Sequence, residues 1–546
     1  MIKVDRKKIL EGSIITILLI VIIISFSVYG YGASIHGDEY FSIGFANNVE
    51  DFLFLTQGVI DQYGTDGWID GEFLHDWLSV QPGEQFAIMQ VHRNVRNDVH
   101  PPLYFMLLNF LSSFFVDQVT LIPGYFINVC SGIIICIFLY LISRKIFVNK
   151  WLAYVPALFW ATSNAANISM TYIRMYGPLC ALCLICLYLH MEFLEKEKTP
   201  KYLYIFLGVC TTIGTLTHYY FYVWLLVIFL ITIVVCIYGK KIKKMLLYGV
   251  SLFLGEVVSL MAYPYMFKHL LFSERGTQVQ QNLANSDWEY YKEFLGQFKY
   301  TINRYVYMSR FHIVFNSFLV LVLVAVVCML IRWKKGQSKP EEKMFVLKNG
   351  LFNFVIVGIL ALGYFLILFK ISYSANWIYI SPIFALLVIL TVGAFAIVLN
   401  RIVPKYYSYI LFGFCAFWLL NANISSMEGS ISGHEQTKIW HDQIVEYSED
   451  CDVLFFYDEW NNLYDNQILE LMEFEQIRAI SLEEMSSSDY ESILAARKEK
   501  NNLVLYISTG VEDYQEKINA VVEKIGAADI TLISEESHAV YFAEFD

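Results

Sequence analysis

Charged residues are scarce in this chain of 546 residues, because Asp, Glu, Lys and Arg together make up only 16% of it. An average soluble domain contains roughly 25%. Hydrophobic residues account for 57% of the chain, and the mean hydropathy is +0.48. Most of the chain therefore has lipid as its solvent. This composition excludes a soluble enzyme, a disordered protein and a nucleic-acid-binding protein.

The sequence also lacks the paired cysteines of a metal site. Its ten cysteines lie almost entirely in apolar segments. Cys180, Cys183 and Cys186 follow one helix face, without the second C-x-x-C or the histidines that a zinc site needs. We expect buried thiols here, and neither a disulfide framework nor a cysteine-bound zinc site.

Long apolar runs are what the sequence contains instead. About eleven runs are long enough to cross a bilayer core of roughly 30 Å, and the first is Gly12–Tyr31. Lys and Arg collect on the cytoplasmic side of membranes. Their clusters fit an inside N-terminus and an outside C-terminus, provided that Pro101–Val116 is a short helix at the outer surface. The prediction is a polytopic α-helical membrane protein with two long outer loops, 33–101 and 268–312.

The tail from residue 424 differs in charge from the rest of the chain. It contains 27 acidic and 7 basic residues, whereas the remainder has a net charge of +8. Short apolar runs alternate with helical stretches, which is typical of a small α/β domain. We therefore predict a transmembrane module over 1–423 and an acidic extracytoplasmic α/β domain over 424–546. The predicted strands are Val453–Tyr457, Leu503–Ser508 and Ile530–Ser534, and the predicted helices are Asp489–Lys498 and Glu512–Ile525.

Two adjacent carboxylates, Asp38 and Glu39, follow the first predicted span directly, in the segment His36-Gly37-Asp38-Glu39-Tyr40. A carboxylate at a membrane boundary can accept a proton from an acceptor hydroxyl, as a general base does. The alternative is a pair of solvated loop acids, since a lone Asp-Glu pair is a weak motif.

Further polar residues gather at the predicted outer ends of other spans. His100 precedes two prolines, Arg174 interrupts apolar sequence, and His218 and Tyr219 form an outer turn. An arginine that faces a cavity can bind a phosphate through two hydrogen bonds. The alternatives are an arginine that snorkels to the interface and histidines that hydrogen-bond only the loop. Aromatic residues of the second outer loop, such as Tyr305, suit sugar stacking or an interfacial belt.

Taken in order, these motifs resemble the GT-C superfamily, specifically the protein O-mannosyltransferase-like membrane glycosyltransferases of family 39. The layout is also similar to that of the lipid A aminoarabinose transferases. The matching motifs are Asp38-Glu39, His100-Pro101-Pro102-Leu103-Tyr104, Arg174-Met175-Tyr176, Thr217-His218-Tyr219 and the turn Trp377–Pro382. Two positions depart from the family pattern. Tyr172 stands where the family often has an acid, and Asn376-Trp377 stands where it often has Arg-Tyr.

The resemblance implies a GT-C-like fold and transfer of a sugar from a polyprenyl-phosphate donor to an acceptor outside the membrane. That acceptor is a protein, a lipid or a cell-envelope glycan. The resemblance makes Asp38 the base, with Glu39 beside it in the catalytic site, and a single base predicts inversion at the anomeric carbon. The residues that it implies for substrate binding are His100, Arg174, Tyr176, His218, Tyr219 and Asn376.

The resemblance also implies a multi-pass protein of the plasma membrane with its active face outside, and it leaves a divalent cation open as a cofactor. A transporter or flippase is the alternative function. Transporters place polar groups near the bilayer midplane and often have repeated halves, whereas the candidates here gather at one face and no repeat is seen. A catalytically inactive scaffold is the third hypothesis.

Overall fold

The computed structural model describes residues 36–49, 68–96, 98–284, 288–334, 350–372, 375–403, 406–413, 438–457, 467–481, 502–535 and 538–545. They belong to two compact units. The first contains the described residues within Val99–Tyr104 and Tyr125–Glu428. The second contains those within Tyr31–Asp98, Phe105–Gly124 and Gly429–Asp546. The predicted span Gly12–Tyr31 and the predicted helix Asp489–Lys498 lie outside the described residues.

Helices dominate the described chain. In chain order they are α1 (Gly37–Asn47), α2 (Gly71–Leu78), α3 (Ile88–Asn94), α4 (Leu103–Ser112), α5 (Ile122–Ile146), α6 (Lys150–Ala161), α7 (Asn164–Thr171), α8 (Tyr176–Glu195), α9 (Lys201–Thr217), α10 (Tyr220–Tyr238), α11 (Ile242–Ala262), α12 (Met266–Phe272), α13 (Glu274–Ala284), α14 (Trp288–Tyr305), α15 (Phe311–Lys334), α16 (Gly350–Ile371), α17 (Trp377–Ile402), α18 (Ile468–Leu471) and α19 (Tyr514–Ile525). Among the described helices, seven are long and apolar enough to cross a membrane: α5, α8, α10, α11, α15, α16 and α17. The predicted polytopic helical membrane protein is confirmed, while the count of eleven spans and the orientation stay predictions.

One apolar run that suggests a single span is divided in the structure. The run covers Leu152–Ile168, but α6 ends at Ala161 and α7 begins at Asn164. The Ser163 hydroxyl accepts a hydrogen bond from the Ala166 backbone N–H at 3.4 Å and caps α7. A serine in this position starts a new helix, and hydropathy alone does not register that break.

Glycines let α9 and α11 approach each other closely in the first unit. A Cβ on Gly255 would lie 2.4 Å from the carbonyl oxygen of Gly208. The Thr212 hydroxyl donates to the Gly255 carbonyl at 2.7 Å, and the hydroxyl oxygens of Thr215 and Ser259 lie 2.9 Å apart. Small residues and interhelical hydrogen bonds are what hold helices together in lipid, where burial from water contributes little.

The second unit contains a six-stranded sheet in the order β1-β3-β2-β4-β6-β5. The strands are β1 (Trp68–Ile69), β2 (Cys451–Tyr457), β3 (Ile477–Ser481), β4 (Asn502–Ser508), β5 (Asp529–Glu535) and β6 (His538–Glu544). Strand β2 pairs in parallel with β3 and β4, whereas the pairs β1–β3, β4–β6 and β5–β6 are antiparallel. The three predicted strands correspond to β2, β4 and β5, and the predicted helix Glu512–Ile525 corresponds to α19.

The segment predicted to be the first outer loop contributes to this sheet. Trp68 of β1 lies opposite Arg478 of β3. Just after β1, the Gly71 backbone N–H donates to the Phe474 carbonyl at 3.0 Å. Part of the first loop and the acidic tail thus share one compact unit, a grouping that the sequence did not indicate.

Candidate functional site

The predicted base Asp38 lies in the first turn of α1, in the second unit. His36 is the N-cap residue, and its Nδ1 accepts from the Asp38 backbone N–H at 3.2 Å. The Glu39 carboxylate accepts from the His36 backbone N–H at 3.0 Å, which completes a capping box. Glu39 is buried, while Asp38 is partly exposed. Negative charge is favoured at a helix N-terminus, so this turn is a stable place for two carboxylates.

Two histidines and a tyrosine from distant parts of the chain meet in the first unit. The ring centroids of His100 and His218 are 5.8 Å apart, and those of Tyr176 and His218 are 5.3 Å apart. His100 lies shortly before α4, Tyr176 begins α8, and His218 lies in the turn between α9 and α10. Three of the predicted substrate-binding residues are therefore neighbours.

The hydrogen bond to His218 fixes which of its ring nitrogens carries the proton. The Tyr220 backbone N–H donates to Nδ1 at 3.0 Å, so the neutral ring has its proton on Nε2. Burial, together with the nearby His100 and Arg174, holds the pKa of His218 well below its usual range. At neutral pH His218 is therefore an uncharged N–H donor.

Arg174 lies in the short connection between α7 and α8 and is only 5% exposed. The side-chain amide of Asn128 donates to the Tyr172 carbonyl, and the Arg174 backbone N–H donates to the same carbonyl at 2.7 Å. A Cβ on Gly177 would lie 2.6 Å from the Ser169 carbonyl oxygen, so a glycine is needed where α8 starts against α7. Arg174 is therefore buried in protein, unlike an arginine whose side chain snorkels into water.

Trp377 begins α17 and joins the same group of rings. Its ring centroid is 5.1 Å from that of Tyr172, 5.8 Å from that of Tyr176 and 5.8 Å from that of Tyr305. We use the name aromatic cluster for the six residues His100, Tyr172, Tyr176, His218, Tyr305 and Trp377. Among these, the sequence marks Tyr172 and Trp377 only as departures from the family motifs.

The remaining two predicted substrate-binding residues lie beside members of the cluster. Asn376 is the exposed N-cap residue of α17, directly before Trp377, and its side chain makes no capping hydrogen bond. Tyr219 follows His218, but its hydroxyl pairs with Nδ1 of His269 at 2.9 Å. Tyr219 is therefore held toward α12.

Within the described ranges, no group of three or more His, Cys, Asp or Glu side chains is arranged to hold a metal ion. The three cysteines that follow one face of α8, Cys180, Cys183 and Cys186, are buried free thiols. In the first unit, the chemistry available at the aromatic cluster is thus a buried guanidinium, a neutral imidazole N–H and several ring faces. A guanidinium and an N–H donor suit a phosphate group, and ring faces suit the apolar face of a sugar.

Comparisons with known proteins find one matching family profile and several solved structures with a similar fold. The sequence profile of the dolichyl-phosphate-mannose-protein mannosyltransferase family matches residues 99–263. A crystal structure of ArnT from Cupriavidus metallidurans bound to undecaprenyl phosphate is similar over 97% of this chain and 97% of its own, with 9% sequence identity and a TM-score of 0.51. The archaeal oligosaccharyltransferase AglB from Archaeoglobus fulgidus, in complex with an inhibitory peptide and a dolichol-phosphate, covers 91% of this chain and 69% of its own, with 10% identity and a TM-score of 0.45. A search of curated proteins finds no match.

The predicted resemblance to GT-C membrane glycosyltransferases is confirmed by the family profile and by the fold shared with ArnT. The matched segment 99–263 contains His100, Arg174, Tyr176 and His218. At 9% identity the likeness to ArnT concerns the fold. The individual roles of these residues and of Asp38 stay predictions.

Proposed function

We propose that this protein is a membrane glycosyltransferase that transfers a sugar from a polyprenyl-phosphate donor to an acceptor outside the plasma membrane. The fold shared with ArnT, whose structure holds undecaprenyl phosphate, supports a lipid-linked donor. The mannosyltransferase profile over residues 99–263 supports sugar transfer. The observation that carries the proposal is the meeting of His100, Tyr176 and His218 beside the buried Arg174, all within that matched segment.

In this proposal, Arg174 and the Nε2–H of His218 bind the donor phosphate. The guanidinium provides a permanent positive charge and two parallel donors, and the neutral imidazole adds a third donor. The phosphate becomes the leaving group, so its negative charge increases as the bond to the sugar breaks. Donors that are already in place at that charge lower the barrier, because they need no reorganisation during the reaction.

Asp38 is the proposed general base for the acceptor hydroxyl. The carboxylate takes the hydroxyl proton while the acceptor oxygen attacks the anomeric carbon. The bond between that carbon and the phosphate oxygen breaks, and the polyprenyl phosphate leaves with the electron pair. A single displacement of this kind inverts the anomeric configuration.

The aromatic rings of Trp377, Tyr172 and Tyr176 are proposed to contact the sugar of the donor. Aromatic side chains offer large apolar faces, while the ring C–H groups of a hexose or pentose form a matching apolar surface. Trp377 occupies a place where the resembled family often has a tyrosine after an arginine. We therefore expect this position to influence which sugar is accepted.

The first test uses purified protein in lipid nanodiscs with a panel of polyprenyl-phosphate sugars and simple acceptors. The release of polyprenyl phosphate is measured for the wild type and for Asp38→Asn, with Mg²⁺ and with EDTA. We expect turnover with at least one donor in the wild type and a loss of at least about 100-fold in the variant, as is typical for removal of a general base. The configuration of the product, read by NMR, tests inversion.

Donor binding is measured in the same samples, so that a missing acceptor is distinguished from a wrong function. Binding without turnover in the wild type would indicate that the acceptor panel is incomplete. If no polyprenyl-phosphate sugar binds and a polar substrate moves across proteoliposome membranes, the transporter hypothesis replaces this one.

A further inference from the structure

Helix α1, which carries Asp38 in the second unit, is held at its N-terminal end by His36 and Glu39, which lie two residues before and one residue after that acid. The Nδ1 of His36 accepts from the Asp38 backbone N–H at 3.2 Å, and the Glu39 carboxylate accepts from the His36 backbone N–H at 3.0 Å. Each partner satisfies a backbone donor that the helix itself leaves without an acceptor. Neither interaction uses the Asp38 carboxylate.

The C-terminal end of α1 is held by two buried amides. The Asn94 side chain donates to the carbonyls of Phe45 and Asn48 at 3.1 and 2.6 Å, and the Asn109 side chain donates to the carbonyl of Ala46 at 2.8 Å. Asn94 is 6% exposed and Asn109 is 0% exposed. The last carbonyls of a helix lack intrahelical partners, and here amides from α3 and α4 take that place.

The side of α1 is fixed by close packing against α2. A Cβ on Gly44 would lie 2.3 Å from the ring of Trp77, so the indole lies directly on the helix backbone. The Asn47 side chain, at the end of α1, donates to the carbonyl of Leu78 in α2 at 2.6 Å. Rotation or sliding of α1 would break these contacts together.

We infer that His36, Glu39, Asn94 and Asn109 are positioning residues for Asp38, so that the two acids of the Asp38-Glu39 pair have different tasks. This inference rests on the proposed role of Asp38 as the base. A general base needs its carboxylate fixed to within about 0.5 Å of the productive position. Because Asp38 follows the cap by two residues, the cap and the two amides set the place of its Cα. Glu39 acts through its hydrogen bond to the backbone and does not exchange a proton with the substrate.

The inference is tested first with pairs of variants at the cap. Asn at position 36 and Gln at position 39 both keep an acceptor for the backbone N–H, whereas Ala keeps none. We expect kcat of His36→Asn and of Glu39→Gln to stay within about threefold of the wild type. His36→Ala and Glu39→Ala are expected to lower kcat by about 10- to 100-fold, the range expected for a small misplacement of a catalytic group, with an unchanged KM for the donor.

The C-terminal end is tested with Asn94→Asp, which removes both donors while keeping the shape of the side chain. We expect a similar loss of kcat and faster hydrogen exchange of the α1 amides in the full-length protein. The same exchange measurement on the His36 and Glu39 variants separates a loosened α1 from a general loss of folding, which would accelerate exchange in the sheet strands as well.

Two results would overturn the inference. If Glu39→Gln is as inactive as Glu39→Ala while exchange in α1 stays at the wild-type level, Glu39 acts on the substrate directly. If all Ala variants keep the wild-type kcat, the cap does not position Asp38. A wild type that neither binds nor turns over any polyprenyl-phosphate donor, or an Asp38→Asn variant that remains active, would instead overturn the proposed function.

Discussion

Arg174 and His218 provide two different kinds of donor next to each other. The guanidinium stays charged at any physiological pH, whereas burial, together with the nearby His100 and Arg174, keeps the pKa of His218 low and its ring neutral. A neutral histidine avoids adding a second buried positive charge to that of Arg174 when the proposed donor phosphate is absent. The difference between the two residues leads to two predictions.

The first prediction concerns the bidentate character of Arg174. We expect Arg174→Gln to lower kcat/KM for the lipid-linked donor by about 100- to 1,000-fold, as for loss of one donor that stabilises developing charge. Arg174→Lys is expected to recover part of this loss, because lysine restores the charge but cannot donate two parallel bonds. Initial rates of polyprenyl phosphate release provide the measurement. Arg275→Gln, at an exposed arginine of α13, is the control and is expected to behave like the wild type.

The second prediction concerns the tautomer of His218. A glutamine amide can place an N–H donor near the position of Nε2, whereas phenylalanine keeps only the ring shape. We therefore expect His218→Gln to retain more activity than His218→Phe, by about 10-fold or more, in line with the contribution of a positioned donor. Equal activities of the two variants would mean that His218 contributes packing and no hydrogen bond.

Single residues of the candidate site differ in how far the sequence reveals them. His100, Arg174 and His218 stand out because each is a polar residue at the end of an apolar run. Tyr172 appears in the sequence only as a departure from the family pattern and Tyr305 only as one of many loop aromatics, because aromatic residues make up 17% of the chain. Only the packing around Trp377 selects these two among the many tyrosines.

At the scale of helices and strands, the contact between α9 and α11 depends on the absence of a side chain at Gly255. A Cβ at this position would lie 2.4 Å from the backbone of Gly208, which no rotamer change can relieve. A Cβ at Gly249, on the same helix α11, would meet no other described atom within 4 Å. Gly249 can therefore serve as the control position for a substitution at Gly255, because both glycines lie on helix α11.

The third prediction uses this pair. We expect Gly255→Ala to destabilise the protein by about 1–3 kcal/mol, which is the usual cost of overpacking. Gly249→Ala is expected to be neutral or slightly stabilising, because alanine favours a helix by up to about 1 kcal/mol over glycine. Thermal unfolding in one detergent, followed by intrinsic fluorescence, compares the two. A lower Tm for Gly249→Ala than for Gly255→Ala would contradict the packing described for α9 and α11.

The sequence predicts helices and strands well where their apolar residues form one clear pattern. Strands β2 and β4 are continuous apolar runs that end up buried between neighbouring strands, and parallel pairing makes such runs typical. Strand β3 escapes prediction because it has only five residues and includes Arg478. The break between α6 and α7 escapes it because Ser163 acts through its capping hydroxyl, which hydropathy does not measure.

At the scale of the whole molecule, the second unit contains two histidines whose pKa values are shifted in opposite directions. Burial lowers the pKa of His538, on β6, to about 4. The nearby carboxylate of Glu470 raises the pKa of His441, and its Oε1 lies 3.6 Å from Nδ1 of the ring. The stabilisation from His441 is present at low pH and is lost as the pH rises through its raised pKa.

The fourth prediction follows from His538. Between its folded pKa of about 4 and the ordinary value of about 6.5, the unfolded chain binds more protons than the folded one. The stability of the sheet therefore falls as the pH drops through this window, by up to about 3 kcal/mol, and is unaffected by His538 above it. Hydrogen exchange of β6 peptides in the full-length protein, corrected for intrinsic rates, measures this loss. His538→Gln is expected to remove the corresponding part of the pH dependence.

The grouping of the first loop with the tail could not be predicted from the sequence. Strand β1 has two residues, too few to show any periodicity, and its partner β3 follows the whole set of membrane helices. The change in charge at residue 424 suggests a boundary, and the sequence contains no local signal that chain segments on both sides of the helices belong together.

The pairing of Trp68 with Arg478 also determines when the sheet can be completed during biosynthesis. The two residues are 410 positions apart, and a ribosome adds about 5–20 residues per second. About 20–80 seconds therefore pass between the synthesis of one partner and the synthesis of the other. During that interval β1 has no partner strand, and all the described membrane helices are synthesised before β3. A chain that is truncated before β3 keeps its apolar helices but never completes the sheet, so a complete sheet marks a chain that has been translated at least through β3.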